Sequence, residues 1–197
     1  MAQPYISLVH TDLAPKAGYC RPAHFSQKVT LDSPAVAVMT DLEQVMAVTI
    51  GPDVSVEAAN QYMIAAGVRL LLVVAGERQV FGLITASDIL GEKPLKHLQR
   101  VGGTFSEILV RDIMTPQEEL DVLRLQDVRL ARVGDIVSTL KYFGRQHALV
   151  TELETGHGSQ KVRGIFSATQ IGRQLGMTVV PGEIATTFAQ LETVLMS

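Results

Sequence analysis

Residues 80–90 read VFGLITASDIL, and residues 162–172 read VRGIFSATQIG. In each stretch a short apolar strand ends at a hydroxyl residue and continues as a helix. Matched positions at a constant separation of 82 residues are Gly82 with Gly164, Thr85 with Ser167, and Asp88 with Gln170. An internal repeat of this kind decides the fold, because each copy is one supersecondary unit that must bury its apolar face against the other.

The Thr-x-x-Asp pattern within the first stretch is typical of a helix N-terminus. The Thr85 hydroxyl can accept a hydrogen bond from the third backbone N–H, and the Asp88 carboxylate can reach back to the N-cap N–H. A helix cap alone would therefore explain both residues, and a ligand-binding role needs further support from the rest of the chain.

The repeat extends well beyond these two stretches. AVMTDL at 37–42 matches DIMTPQ at 112–117 with a separation of 75 residues, and Gly67 matches Gly144 with a separation of 77. Gly67 is expected to end a helix, since glycine readily adopts positive φ. The later increase in separation falls at residues 151–162, TELETGHGSQKV, which predict a long hairpin loop.

Each half is predicted to contain a strand, a helix, two strands and a second helix. The predicted elements are 45–50, 54–66, 70–74, 80–84 and a helix from about 87, then 120–125, 131–143, 148–151, 162–166 and a helix from about 168. A half of about 55 residues buries too little surface to be stable alone. We therefore expect one α/β (α+β) unit, in which two β-α-β-β-α repeats pack sheet to sheet as a pseudo-twofold module.

The composition excludes several classes of partner. The chain has 197 residues, of which 47% are hydrophobic and 19% charged, and a formal net charge of −3. It has no basic face for nucleic acid, and its most apolar run, at 68–75, is too short to cross a bilayer. With Cys20 as the one cysteine and no export signal, we expect a cytoplasmic protein that binds neither nucleic acid nor membrane.

The motifs of the first half follow one another in a recognisable order. Met-Thr, a strand, a Pro-Asp turn, a Val-x-x-Ala helix, Gly-Val-Arg and Gly-Leu-Ile-Thr-x-x-Asp resemble the CBS domain, named for cystathionine beta-synthase. A tandem pair of such domains is called a Bateman module. The resemblance implies an N-terminal extension (1–33), CBS repeat 1 (34–92), a linker (93–106), CBS repeat 2 (107–177) and a C-terminal amphipathic helix (178–197).

The resemblance also implies a function. Such modules are regulatory and bind an adenine nucleotide, such as AMP, ADP, ATP or S-adenosylmethionine, in clefts between the repeats, and they signal by conformational change. The residues that hold ribose and phosphate in the family correspond to Thr85 and Asp88, Arg69 corresponds to a phosphate contact, and Val48 is expected to line the adenine pocket. This chemistry is reasonable, because a carboxylate accepts from both hydroxyls of a diol, and a helix N-terminus and a guanidinium both suit phosphate.

The second half departs from the family pattern. Gln170 stands where the family has an acid, and Gln146 stands where the first half has an arginine. Ser167 and Gln170 still satisfy the pattern of a capping box, so the second half is predicted to keep its helix cap and lose the charge that grips a ribose. His147 is a candidate phosphate contact, although a single histidine in a strand is more often a packed side chain. The sequence thus predicts two unequal sites.

Two other classes of function remain open. A dimerisation or scaffold module without nucleotide is favoured by Gln146 and Gln170. A metal-dependent enzyme is suggested only by His10, Cys20 and His24, and a structural metal site needs four ligands at tight spacing. We therefore predict no catalytic residue, no metal site and no obligatory cofactor.

A small basic stretch follows the first repeat. Lys93, Lys96, His97 and Arg100 are expected to lie on a solvated helix face, with a contact to ligand phosphates or to an acidic partner as the alternative. The Gly-Gly pair at 102–103 predicts a linker turn, because the strand and lysine of a phosphate loop do not flank it.

The C-terminal stretch carries an apolar stripe. After Pro181, the residues at helical spacing are Ile184, Phe188, Leu191 and Leu195. Such a stripe must be buried, either on the chain's own core or against a second copy, since CBS pairs commonly form disc-like homodimers. No effector domain is recognisable in the sequence, so the signal is expected to be received by an unidentified effector protein.

Overall fold

The computed structural model describes residue 14 and residues 29–76, 79–153 and 159–176. The strands are β1 (Thr40–Asp41), β2 (Thr49–Ile50), β3 (Leu70–Ala75), β4 (Gln79–Thr85), β5 (Thr115–Pro116), β6 (Val122–Arg124), β7 (His147–Leu153) and β8 (Gln160–Ser167). The α-helices are α1 (Val56–Ala66), α2 (Ala86–Leu90), α3 (Lys93–Val101), α4 (Val110–Ile113), α5 (Leu125–Val128), α6 (Val133–Phe143) and α7 (Ala168–Gln174). Short 3-10 helices within these ranges are Ala35–Val38, Phe105–Glu107 and Gln117–Glu119.

The predicted elements occur in the predicted order in both halves, but the second half has an additional helix, α5, between β6 and α6. The strand predicted at 120–125 is shorter than expected, because only residues 122–124 form β6 and Leu125 begins α5. Strands β3, β4, β7 and β8 extend one or two residues beyond their predicted bounds. The strand predicted at 45–50 is wrong over 45–48. The Asp41 carbonyl accepts hydrogen bonds from the N–H groups of Gln44 and Val45, both at 3.0 Å, and so closes a turn just before this segment.

Helix ends follow local chemistry. Helix α1 begins later than predicted, because Ser55 is its N-cap and accepts from the Ala58 N–H at 3.2 Å. Gly67 ends α1 with φ 66°, as predicted, and Gly144 ends α6 with φ 61°. Both glycines occupy the left-handed region, which is costly for residues with a Cβ.

Two four-stranded sheets form the framework. Their strand orders are β2-β3-β4-β5 and β1-β8-β7-β6. The central hairpin of each sheet is antiparallel, and β2 and β6 pair in parallel with β3 and β7.

Each half contributes a strand to the sheet of the other half. Strand β1, which precedes the first hairpin, pairs with β8, and Thr40 lies opposite Ile165. Strand β5, which precedes the second hairpin, pairs with β4, and Thr115 lies opposite Leu83. This exchange joins the two repeats through backbone hydrogen bonds, in addition to side-chain packing.

An ion-pair network holds the exchanged strand β1. Arg163 on β8 pairs with Asp41 on β1 and, at 2.8 Å, with Glu43. The hydrogen bond from Arg163 lowers the pKa of Asp41 below its usual value.

The buried apolar residues form one core between the sheets and one core under the helices of each half. The residues of the first-half core include Val56 and Met63 on α1, Leu71 on β3 and Ile113 on α4. The residues of the second-half core include Ala35 and Val38, Leu140 on α6 and Phe166 on β8. Leu70, Leu72 and Leu149 form the core between the sheets, with Leu42, Ala47, Val74, Leu83, Leu120, Val122, Val162 and Ile165 packed on it. The sheet-to-sheet packing predicted from the sequence is confirmed.

Alternation along β3 explains its unbroken apolar run. Leu70 and Leu72 face the opposite sheet, whereas Leu71 and Val73 face the helices of the first half. Successive side chains of a strand point to opposite faces, so a strand between two cores must be apolar at every position.

Several predictions concern residues outside the described ranges. They are the apolar stripe Ile184, Phe188, Leu191 and Leu195, and the metal candidates His10, Cys20 and His24. The predicted linker at 93–106 contains α3, followed by Gly102 and Gly103, both with positive φ. No helix in the described part of the chain is long and apolar enough to cross a membrane.

Candidate functional site

Thr85 and Asp88 form a complete capping box at the junction of β4 and α2. The Asp88 N–H donates to Thr85 Oγ1 at 3.2 Å. Asp88 Oδ2 accepts from the Thr85 N–H at 2.8 Å and from the Thr85 hydroxyl at 2.7 Å. The prediction that this motif caps a helix is therefore confirmed. The Oδ2 atom of Asp88 takes part in the cap.

The other oxygen of Asp88 is paired with a lysine. Lys93 Nζ lies 2.7 Å from Asp88 Oδ1, and the Asp88 side chain is 13% exposed. The same ammonium donates to the Ile113 carbonyl at 3.1 Å and to Thr115 Oγ1 at 3.4 Å. Sequence reasoning did not predict this pair, because α2 ends at Leu90 and the chain turns before Lys93 begins α3.

Arg69 lies beside Thr85. Its carbonyl accepts from the Ala86 N–H at 3.0 Å, and Leu70, the next residue, lies opposite Thr85 in the β3–β4 ladder. The Arg69 side chain is half-buried. Within residues 29–76, 79–153 and 159–176, its guanidinium has no ion-pair or hydrogen-bond partner.

His147, in the second half, lies near Arg69 and Asp88. It begins β7 and lies opposite Ser167 on β8. Burial, and to a smaller extent the positive charge of Arg69, lower the pKa of His147 to about 4, and the carboxylate of Asp88 partly opposes this shift. Three predicted residues, Arg69, Asp88 and His147, are therefore brought close together, and His147 is neutral near pH 7.

We expect the low pKa of His147 to make stability depend on pH. The unfolded chain binds a proton near pH 6.5 and the folded chain only near pH 4, so this contribution is complete above pH 6.5 and is lost as pH falls toward 4. The expected loss is about 1–3 kcal/mol. Urea unfolding followed by circular dichroism at pH 7.5, 6, 5 and 4 would measure it.

His147→Leu is the matched variant for that experiment, because Leu70 stands at the corresponding start of β3. The carboxylates titrate in the wild type and in His147→Leu alike. Their effect therefore cancels when the two free energies of unfolding are subtracted. As pH falls, the free energy of unfolding should decrease more for the wild type than for His147→Leu. Parallel pH profiles would show that His147 is not held neutral.

The second half lacks the predicted cap. Ser167 precedes α7 but its side chain makes no capping hydrogen bond. Gln170 instead accepts from the Thr40 hydroxyl of the exchanged strand β1 at 3.2 Å. The prediction of a Ser-x-x-Gln capping box is wrong, because the glutamine side chain bonds across the interface between the repeats.

The backbone around the two junctions is nevertheless equivalent. The Ala168 N–H donates to the Gln146 carbonyl at 2.9 Å, as the Ala86 N–H does to Arg69. Gln146 is thus the counterpart, in the second half, of Arg69. The two junctions have the same backbone structure and differ in charge.

A cleft of about 60 Å³ lies in the second half, beside His147. It is lined by Asp121, Val122, Leu123, Thr139, Leu140, Phe143, Arg145, His147 and Ala148. This volume is small beside that of a pocket for a whole nucleotide. Val48 lies at the corresponding place in the first half, where it is half-buried, packs on the first-half core and accepts from the Leu72 N–H at 3.1 Å.

Metal ligation finds no support in the part of the chain that the structure describes. There, no group of three or more His, Cys, Asp or Glu side chains is arranged to hold a metal ion.

Comparison with protein families adds one match. Residues 37–94 match the family model of the CBS domain. This range includes Val48, Arg69, Thr85, Asp88 and Lys93. The comparison with curated proteins gives no match.

Solved structures with the same fold include three informative examples. An uncharacterized conserved protein from Pyrococcus horikoshii is 22% identical, with a TM-score of 0.53 over 78% of this chain and 100% of that one. CBSX2 from Arabidopsis thaliana, solved in complex with AMP, is 21% identical, with a TM-score of 0.50 over 72% and 94%. A CBS-domain containing protein from Agrobacterium tumefaciens is 20% identical, with a TM-score of 0.50 over 67% and 93%. At these identities the likeness shows a shared fold.

Proposed function

We propose that the protein is a regulatory module that binds an adenine nucleotide in a cleft between its two repeats. The match of residues 37–94 to the CBS-domain family model and the fold shared with CBSX2 support this proposal. Binding is reported by a change in packing between the repeats. A ligand shifts such an equilibrium only by the difference between its affinities for the two states. No residue has a catalytic role in this proposal.

The observation that carries the proposal is the guanidinium of Arg69, which has no ion-pair or hydrogen-bond partner among the residues that the structure describes. A half-buried cation loses part of its hydration, and an anionic partner would compensate for that loss. A guanidinium presents planar, paired donors that match phosphate oxygens. Neutral His147, on the facing sheet, can donate one further N–H. A nucleotide phosphate is therefore assigned to the space between Arg69 and His147.

The ribose is assigned to Asp88. A carboxylate has about four acceptor sites, and three are used by the Thr85 N–H, the Thr85 hydroxyl and Lys93. A ribose hydroxyl can take the remaining site, and a second hydroxyl can bind if Lys93 moves away. The adenine would then lie against Val48, which is only half-buried.

AMP is the first ligand to test. CBSX2, which shares the fold of this chain, was solved in complex with AMP. A single phosphate also matches the one unpaired guanidinium near Asp88 among the described residues.

A scaffold without nucleotide is the second candidate function, and one observation favours it. Both oxygens of Asp88 already have partners within the protein, in Thr85 and Lys93. In the second half, Gln170 is likewise occupied by Thr40. Under this alternative, the module would join two copies of the chain or an effector protein and bind no small molecule.

A thermal-shift experiment with AMP, ADP, ATP and S-adenosylmethionine distinguishes the two. A ligand at about 100 times its Kd stabilises the native state by about 2.7 kcal/mol, which corresponds to a rise in Tm of roughly 5–10 °C for a protein of this size. The absence of a shift with all four ligands would favour the scaffold.

Asp88→Asn tests the assigned ribose contact. The amide oxygen can still accept from the Thr85 N–H, so the helix cap is largely kept, whereas the charge is lost. We expect about tenfold weaker AMP binding. Asp112→Asn is the matched control, since Asp112 Oδ2 caps α4 by accepting from the Leu109 N–H at 2.8 Å. Equal loss of affinity in the two variants would contradict the assignment.

A further inference from the structure

Lys93 ties together three parts of the molecule. It is the first residue of α3, and its ammonium contacts Asp88 Oδ1 at 2.7 Å, the Ile113 carbonyl at 3.1 Å and Thr115 Oγ1 at 3.4 Å. An ammonium has three N–H donors, so this set of acceptors uses all of them. Asp88 is the only anion in the set.

The acceptors belong to different repeats. Asp88 lies on α2 at the proposed ribose site of the first repeat. Ile113 and Thr115 lie at the end of α4 and on β5, the strand that the second repeat contributes to the first sheet. Lys93 therefore connects the proposed ligand site directly to the exchanged strand.

The second half makes the corresponding connection without a lysine. Gln170, the counterpart of Asp88, accepts directly from Thr40 on β1, the counterpart of Thr115. Leu175 stands 82 residues after Lys93 and packs against the second-half core. The charged link between Lys93 and Asp88 thus belongs to the first half, which also contains Arg69.

We infer that Lys93 is an internal competitor for the Asp88 carboxylate, and that a nucleotide releases it and thereby loosens the attachment of α3 and β5; this inference rests on the proposed function. A ribose diol takes the oxygen that Lys93 now holds. The ammonium then keeps only two neutral acceptors. Because the Lys93 side chain is 43% exposed, water competes effectively for its ammonium. The ammonium therefore also dissociates from the Ile113 carbonyl and from Thr115.

The release explains how a small site can affect the packing of two repeats. The exchanged strand β5 is only two residues long, and it is held to β4 in the pairs Gly82 with Pro116 and Leu83 with Thr115. A side-chain link next to so short a ladder is a substantial part of its attachment. Binding energy at Asp88 is therefore passed to the interface between the repeats.

Lys93→Met tests the inference, with AMP as the probe. Methionine keeps most of the length of the side chain and removes the competing ammonium. AMP should therefore bind about two- to fivefold more tightly, as expected for the loss of a partly exposed ion pair. Lys96→Met is the matched control, because Lys96 lies one turn further along α3 and pairs with exposed Glu92. Lys93→Gln is a second variant in case methionine disturbs folding.

Amide hydrogen exchange provides an independent readout. In wild type and in Lys96→Met, AMP should accelerate exchange over 93–101 and 110–116, where the link is broken. In Lys93→Met the exchange should already be fast and should not respond to AMP. Isothermal titration calorimetry on the same samples gives the affinities.

The outcomes separate this inference from the proposed function. If AMP binds but Lys93→Met weakens binding, Lys93 is a ligand contact and the competitor role is wrong. If AMP binds with no change of exchange at 93–101 or 110–116, the link carries no signal and the inference is likewise overturned, while nucleotide binding stands. If neither wild type nor Lys96→Met binds AMP, both the inference and the proposed ligand fail.

Discussion

Replacing Gly82 with alanine is expected to destabilise the protein by about 2–3 kcal/mol. A Cβ at this position would overlap the carbonyl oxygen of Thr115 and lie 3.2 Å from the Cα of Pro116. Both atoms belong to the backbone of β5, which cannot move away without breaking its pairing with β4. Chemical unfolding followed by circular dichroism measures the change in unfolding free energy.

Gly164→Ala is the control supplied by the repeat itself. A Cβ at Gly164 would approach the Met39 side chain, 2.5 Å from its sulfur. A methionine side chain is flexible and can repack, so the expected cost is about 1 kcal/mol or less. If the two alanine variants lost equal stability, the close approach of β5 would not be the reason that position 82 is glycine.

Arg69→Gln is expected to weaken AMP binding by about 10- to 100-fold, because it removes a charge-assisted contact to phosphate. Glutamine is the natural residue at the equivalent position 146, where the backbone makes the same hydrogen bond. The variant should therefore fold normally. Calorimetric titration with AMP measures the loss of affinity.

Arg111→Gln is the control for net charge, since Arg111 is exposed and pairs with Asp53.

A second readout does not depend on the ligand. Arg69 lowers the pKa of His147, so the pKa of His147 in Arg69→Gln should rise above about 4, as NMR titration of the imidazole would show. Unchanged affinity in Arg69→Gln would remove the main support for a phosphate site.

Local patterns explain which features could be predicted. Apolar runs bounded by glycine and polar residues indicated β3, β4, β7 and β8, and Thr85 and Asp88 indicated a helix cap, because each signal depends on residues that are neighbours along the chain. The repeat then indicated that two similar halves must bury their sheets against each other. All of these features are present in the structure.

The failures share a physical cause. Gln170 satisfies the local rule for a capping box, yet its side chain bonds to Thr40, which is 130 residues away in sequence. The segment at 45–48 is apolar enough for a strand, yet a turn at Asp41 precedes it and only Thr49 and Ile50 pair. In both cases a nonlocal or backbone contact competes with the local preference, and a propensity rule does not include such contacts.

Neighbouring residues along the chain were sufficient to predict the repeat, the order of its strands and helices, the cap at Thr85, and the presence of an acid and an arginine in the first half alone. The packing of the elements was needed to show that β1 and β5 are exchanged between the sheets, that Lys93 pairs with Asp88, and that His147 lies near Arg69. The exchanged strands and the approach of His147 to Arg69 join residues that are far apart along the chain, whereas Asp88 and Lys93 are close in sequence but lie on separate helices. Strands of two residues carry no periodic signal, and the pairing of charges from separate elements depends on how those elements pack.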